Sequence, residues 1–262
     1  MKKIIGFMMF VMVLFAIYGC EQGVINSWDK IEDRGYLIVG LDDTFAPMGF
    51  RDNSGNLVGF DVDLAKEVGE RLDIEIQFQP IDWDSKVLEL NSGTIDMIWN
   101  GLTITESRME EMLFSNPYIA NRQIVMVRSD STIDLISDLI GKKIGVQISS
   151  AADESVNANA ILTSLGELIK YDQYNQALLE LKNGTIDAVV IDEIMGRYII
   201  SQSEGDYIVA TESFAEETYG VGFRLESIEL RDKINQVLAE MILDGTAKEI
   251  SIKWFGEDIF IQ

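Results

Sequence analysis

Residues 36–80 pass from an unbroken apolar run to a helical repeat and then to alternation. The stretch "YLIVGLD" (36–42) is apolar and β-branched, the pattern of a strand buried on both faces. The polar, Asn- and Gly-rich "RDNSGNLVG" after it reads as a turn. Phe60, Leu64, Val68 and Leu72 recur at every fourth position, which predicts a helix over 60–72. "IEIQFQP" (74–80) alternates as a strand does, and "SKVLELNSG" (85–93) reads as a short helix closed by Gly93. The same rhythm predicts strands in "TIDMIW", at 122–128, at 143–148, in "LIKYD" and in "AVVID". It predicts helices near 133–140, near 151–165 and in "NQALLELKNG", closed by Gly184. Strands alternating with helices imply an α/β fold of mostly parallel sheets covered on both faces.

Two stretches repeat one unit: "ELNSGTIDMIWNG" (89–101) and "ELKNGTIDAVVID" (180–192). Each is a helix end, a glycine cap and a buried strand, and ligands collect beyond the carboxyl ends of such strands. One copy ends in Asn100-Gly101 and the other in Asp192, as if two similar lobes aimed both ends at one cleft. Chance likeness between two common helix–strand joins is the alternative.

Composition narrows the classes. The chain has 262 residues, 47% of them hydrophobic, and a formal charge of −23. Such a chain holds a sizeable core, and its charge repels nucleic acid. The N-terminus pairs Lys2 and Lys3 with the apolar run "IIGFMMFVMVLFAIYG", short for a spanning helix and typical of a signal-peptide core. A membrane anchor helix is the competing reading. Cys20, the only cysteine, follows in "IYGC", which resembles a lipoprotein cleavage box although Tyr18 is bulkier than that pattern usually has. The cysteine is then lipidated, or else an ordinary thiol. On this reading 1–19 is a signal peptide, 20–28 a lipid-anchored tether, and the body lies outside the cytoplasm.

The segment "GFDVDLAKEVGERL" (59–72) resembles the signature of solute-binding family 3, the polar-amino-acid-binding proteins of bacterial ABC uptake systems. In family order it is joined by "LDDTFAPMGF" (41–50), "IDWD" (81–84), "NGLTITESR" (100–108) and "LFSNPY" (113–118). "GKKIGVQ" (141–147), "IDAVVIDE" (186–193), "YGVGF" (219–223) and "KWFG" (253–256) complete it. The resemblance implies a periplasmic-binding-protein-like fold, two α/β lobes joined by a two-strand hinge with the ligand between them. Lobe one would be 29–117 with 220–262, lobe two 123–214, and the hinges 118–122 and 215–219. It also implies a monomer that takes a free L-amino acid to an ABC permease, with no cofactor and no metal.

The family positions implied here fit the ligand's chemistry, because a buried amino acid needs a partner for its carboxylate and another for its ammonium. Arg108 falls at the carboxylate clamp, where a planar fork matches two oxygens; without the resemblance it reads as a solvated helix arginine. Gly101 and Thr103 precede it in a loop that can reach the ligand backbone. Asp192 falls at the ammonium acceptor, although an Asp there also suits a helix N-cap. Phe45 and Trp83 match the aromatics that sandwich the ligand side chain. Lobe two offers Gln147 and then Ser149 and Ser150, in a turn where the family commonly has glycine, so both serines stand as candidates. Asp42 would face the distal side chain with Asn100, favouring arginine or glutamine over acidic ligands; the alternative is a turn-former aimed at backbone.

An enzyme is the competing class. The chain has no histidine, its lone cysteine is expected to be lipidated, and no phosphate-binding G-x-x-x-x-G-K-[ST] loop appears. Carboxylate pairs such as Asp42-Asp43 leave open a cyclohexadienyl-dehydratase-like enzyme on the same fold. The anchoring expectation has a direct check. Cys20→Ser should move the mature protein from the membrane fraction to the soluble one, because a diacylglyceryl cysteine supplies two chains. Unchanged retention with an uncleaved N-terminus would favour an anchor helix.

Overall fold

The computed structural model describes residues 27–203 and 205–261. The expected leader (1–19), Cys20 and most of the tether lie outside those residues. The tether's last positions are corrected: the helix Ser27–Arg34 begins there, and Trp28 is buried with Ile31 on its inner face. Apolar side chains three apart share a helix face, so this segment packs as part of the body.

Two five-stranded sheets form the centres of two lobes. The first runs Glu75–Pro80, Tyr36–Leu41, Met97–Ile98, Gly222–Phe223, Leu113–Phe114. The second runs Glu167–Tyr171, Lys143–Gln147, Ala188–Asp192, Ile119–Arg128, Tyr207–Tyr219. In each, the first three strands are parallel and the fourth is antiparallel to its neighbours. The strands Ile119–Arg128 and Tyr207–Tyr219 are long because they continue from the second sheet towards the first. There Arg122 pairs with Glu216, Asn121 with Glu217, Ala120 with Thr218 and Ile119 with Tyr219. This is the two-strand hinge. A short sheet of Thr44–Phe45, Gly49–Arg51 and Leu57–Val58 lies beside the first lobe's strand ends.

The repeated unit has a physical cause. Helices Lys86–Ser92 and Tyr174–Asn183 both stop at a glycine in the left-handed region, Gly93 at φ 80° and Gly184 at φ 75°. Asp96 then donates its N–H to Ile38 O and accepts the Ile38 N–H at 2.8 Å. Asp187 repeats this with Lys143, its N–H on Lys143 O and its carboxylate on the Lys143 N–H at 2.8 Å. Ile95 and Ile186 pack where a Cβ on Gly40 or Gly145 would sit, 2.4 and 2.7 Å away. Each copy therefore clips its strand beside the second strand in its sheet's order, Tyr36–Leu41 or Lys143–Gln147.

Three local expectations are corrected. The helix expected near 133–140 is a 3-10 turn, Ile136–Leu139, because the Asp138 carboxylate takes the N–H groups of Asp134 and Leu135. The helix expected near 151–165 is Ala151–Ala158 followed by a 3-10 segment Ala160–Ser164. Asn159 separates them by capping Ile161 N–H with its side chain. The strand expected in "TIDMIW" is only Met97–Ile98, since Asp96 is spent on the clip. Among the described residues no helix is long and apolar enough to cross a membrane.

Candidate functional site

Three loops at the carboxyl ends of the first lobe's strands face the second lobe. Asp42 follows the first strand; its N–H donates to Asn100 Oδ1 at 3.1 Å. Its Oδ1 accepts from Thr44 N and Oγ1, at 2.9 and 2.6 Å, so the side chain does form the turn. Its Oδ2 accepts Gln147 Nε2 from the other lobe at 2.8 Å. Burial raises the Asp42 pKa, against the hydrogen bonds from Thr44 and Gln147. Phe45 lies 6.1 Å from the Tyr174 ring across the cleft, and Trp83 is capped by Lys86 Nζ at 5.1 Å from its centroid. Asn100 Nδ2 is buried without a partner.

Gly101 needs its lack of a side chain, because at φ 58° a Cβ would lie 2.9 Å from the Phe45 ring. Its N–H is already taken by Asp61 Oδ2 at 2.7 Å, and Asp61 Oδ1 accepts the Tyr118 hydroxyl at 2.8 Å. Gly101 therefore contributes shape, its N–H being held by Asp61. Thr103 is buried; its carbonyl accepts Arg108 Nη1 at 3.0 Å. Arg108 sits in the short helix Glu106–Met109, capped by Thr105, and is only 3% exposed. Its Nη2 donates to Ser149 O at 3.2 Å and pairs with Glu154 at 2.9 Å, both on the second lobe. Arg108 Nε is buried and unpartnered.

On the second lobe the two serines separate. Ser150 is the N-cap of Ala151–Ala158: its hydroxyl donates to Gln147 O and accepts Asp153 N–H. Ser149 takes the left-handed conformation at φ 56°, the reason a glycine suits this turn. Its carbonyl receives both Arg108 and Lys86, the latter at 2.9 Å. Asp192 begins the helix Glu193–Gln202 without capping it by its side chain. Its Oδ1 instead accepts from Asn121 at 2.7 Å, Gln123 at 2.9 Å and the Tyr219 hydroxyl at 2.8 Å. Burial raises its pKa, while those three donors and the charge of Arg108 lower it.

The cleft thus gathers Asp42, Phe45, Trp83, Asn100, Gly101, Thr103, Arg108, Gln147, Ser149, Ser150 and Asp192 on facing strand ends, loops and short helices, with Ser150 and Gly101 serving the frame. Residues missed from the sequence are Asp61, Lys86, Tyr174 and Glu217. Asp61 lay inside the quoted 59–72 signature and was readable there; Lys86 on a short helix carried no such signal. Burial lowers the Lys86 pKa to about 7, with Arg108 adding repulsion.

The sequence profile of the bacterial extracellular solute-binding proteins, family 3, matches residues 37–257. The L-cystine-binding protein TcyJ of Escherichia coli (strain K12) is 31% identical over 91% of this chain and 88% of its own. The arginine-binding extracellular protein ArtP of Bacillus subtilis (strain 168) is 30% identical, over 97% and 98%. A solved ABC uptake transporter substrate-binding protein from Streptococcus pneumoniae, with bound histidine, superposes with a TM-score of 0.87. It is 38% identical and covers 90% of this chain and 99% of its own.

Asp61 provides a pH test of the frame. Burial raises its pKa to about 7 from the ordinary 3.8, against the Gly101 and Tyr118 bonds, so the folded chain keeps a proton that the unfolded chain releases. That contribution is complete below about pH 4 and is lost as pH rises through about 7. Asp61→Asn mimics the protonated side chain. From pH 5 to pH 7 in urea unfolding it should gain about 2–3 kcal/mol on the wild type. Parallel pH profiles would contradict this.

Proposed function

The chain belongs to the bacterial extracellular solute-binding proteins, family 3, and on that footing we propose that it captures a free amino acid for an ABC importer. The observation that carries this reading is the pairing of a buried cation with a buried anion in one cleft between the lobes. Arg108 and Asp192 are 3% and 4% exposed, and Arg108's charge lowers the Asp192 pKa. Arg108 takes the ligand carboxylate and Asp192 its ammonium. The unpartnered Arg108 Nε supports a ligand acceptor at the carboxylate end. Closure follows from the geometry: ligand contacts from both lobes exist together only when the lobes meet, so binding favours the closed state.

The relatives' names range over cystine, arginine and histidine binding, and the side chain preferred here is of the arginine or glutamine type. The support is Asp42, Trp83 and Asn100 on the distal wall, since a carboxylate there disfavours an acidic side chain. Asp42 Oδ1 is spent on Thr44, which leaves Oδ2, shared with Gln147, as its acceptor for a ligand. The lobes divide at 118–122 and 215–219, and the protein acts as a monomer beside its permease. Lipidated Cys20 anchors it to the cell membrane, on the periplasmic or cell-surface side. A dehydratase is disfavoured because the relatives named above are binding proteins.

Calorimetry on two variants tests the assignment. Arg108→Ala and Asp192→Ala should each weaken amino-acid binding by about 2–5 kcal/mol, because each strands a ligand charge without its partner. Binding within about twofold of wild type, roughly 0.4 kcal/mol, would remove that residue from the site.

A further inference from the structure

The crossing strands carry a polar cluster that the reading above uses only at Asp192. Asn121 Nδ2 donates to Asp192 Oδ1 at 2.7 Å and to Glu217 Oε1 at 3.0 Å. Gln123 Nε2 bridges the same two oxygens, at 2.9 Å to Asp192 and by a shorter contact to Glu217. Two amides thus hold two carboxylates together. The amide oxygens, Asn121 Oδ1 and Gln123 Oε1, are buried without a hydrogen-bond partner, on side chains 7% and 0% exposed. Reversing either amide would turn its oxygen onto the carboxylates, so charge fixes the orientation. With both carboxyl groups ionised, the unused capacity of these four groups is all acceptor, and an ammonium brings three donors and no acceptor.

Resting on the amino-acid reading, we propose that Glu217 is a further ligand-binding residue that shares the ligand's ammonium group with Asp192. Glu217 alternates along its strand with Tyr219, whose hydroxyl reaches Asp192, so both point to the same face. Burial, and then repulsion from Asp192, raise the Glu217 pKa to about 7, while Gln123, Arg108 and Thr103 lower it. Tyr174 and Tyr219 also feel its charge, both held neutral well above their ordinary pKa, and Arg122, Glu193 and Glu216 line the surface recess beside it. The proton on Glu217 relieves the pair until an ammonium arrives. The carboxyl O–H then breaks, the proton leaves to solvent, and an N–H···O bond from the ammonium replaces it.

Titration calorimetry with L-arginine and L-glutamine, at pH 6 and pH 8 in buffers of different ionisation heat, tests this. Asp61 and Lys86 also titrate near 7, so the comparison between proteins is the readout. The wild type's ratio of affinity at pH 8 to that at pH 6 should exceed that of Glu217→Gln by about tenfold. The wild type should also release close to one more proton per ligand at pH 6, and Glu217→Asp should keep both effects. A Glu217→Gln protein that retains the wild-type ratio and proton release overturns the proposal while leaving the amino-acid reading intact. Wild-type protein that binds no amino acid in the set of twenty overturns both.

Discussion

Two lobes that close over a polar cleft must supply a counter-group for every ion they take out of water, because an unpaired buried charge costs several kcal/mol. Lys86 and Arg108, both at least nine-tenths buried, meet this condition at one place, the carbonyl of Ser149 on the opposite lobe. Glu154 adds a half-exposed carboxylate to Arg108, a pairing worth only about 0–1 kcal/mol in such surroundings. The left-handed turn at Ser149, held by Ser150 capping the next helix, is what brings that carbonyl to the cleft. Much of the second lobe's local geometry serves this contact.

The same constraint orders the hinge. Asp192 and Glu217 sit where the crossing strands pass under the cleft, and their repulsion is managed by Asn121, Gln123 and Tyr219 rather than by a fixed cation. Acidic side chains at the hinge and basic ones on the first lobe's loops give the cleft a direction, negative at one end and positive at the other. A zwitterion matches both ends, whereas a simple anion or cation leaves one end unpaired.

The repeated 89–101 and 180–192 units were legible because they carry local reasons: a glycine that must turn left-handed and an aspartate that hydrogen-bonds to a neighbouring strand. The helix over 60–72 was legible because four apolar positions share one face. What escaped was set by distance rather than by pattern. Nothing local tells that the Gly101 N–H is spent on Asp61, forty positions earlier, or that Lys86 is buried against the other lobe. The short 3-10 turn at Ile136–Leu139 was missed because one carboxylate, Asp138, outbid the helix for nearby N–H groups. The site residues implied by family resemblance fall on facing strand ends, loops and short helices, yet their separate tasks, frame or ligand, are visible only in three dimensions.

A cleft with paired buried charges and a carboxylate on its distal wall is proposed to receive a polar, non-acidic amino acid. A thermal-unfolding panel with each of the twenty amino acids tests it most directly, since a ligand that binds only the folded state raises the midpoint by mass action. Arginine or glutamine should stabilise the protein markedly, and aspartate or glutamate little. Stabilisation chiefly by glutamate, or by leucine and valine, would contradict it.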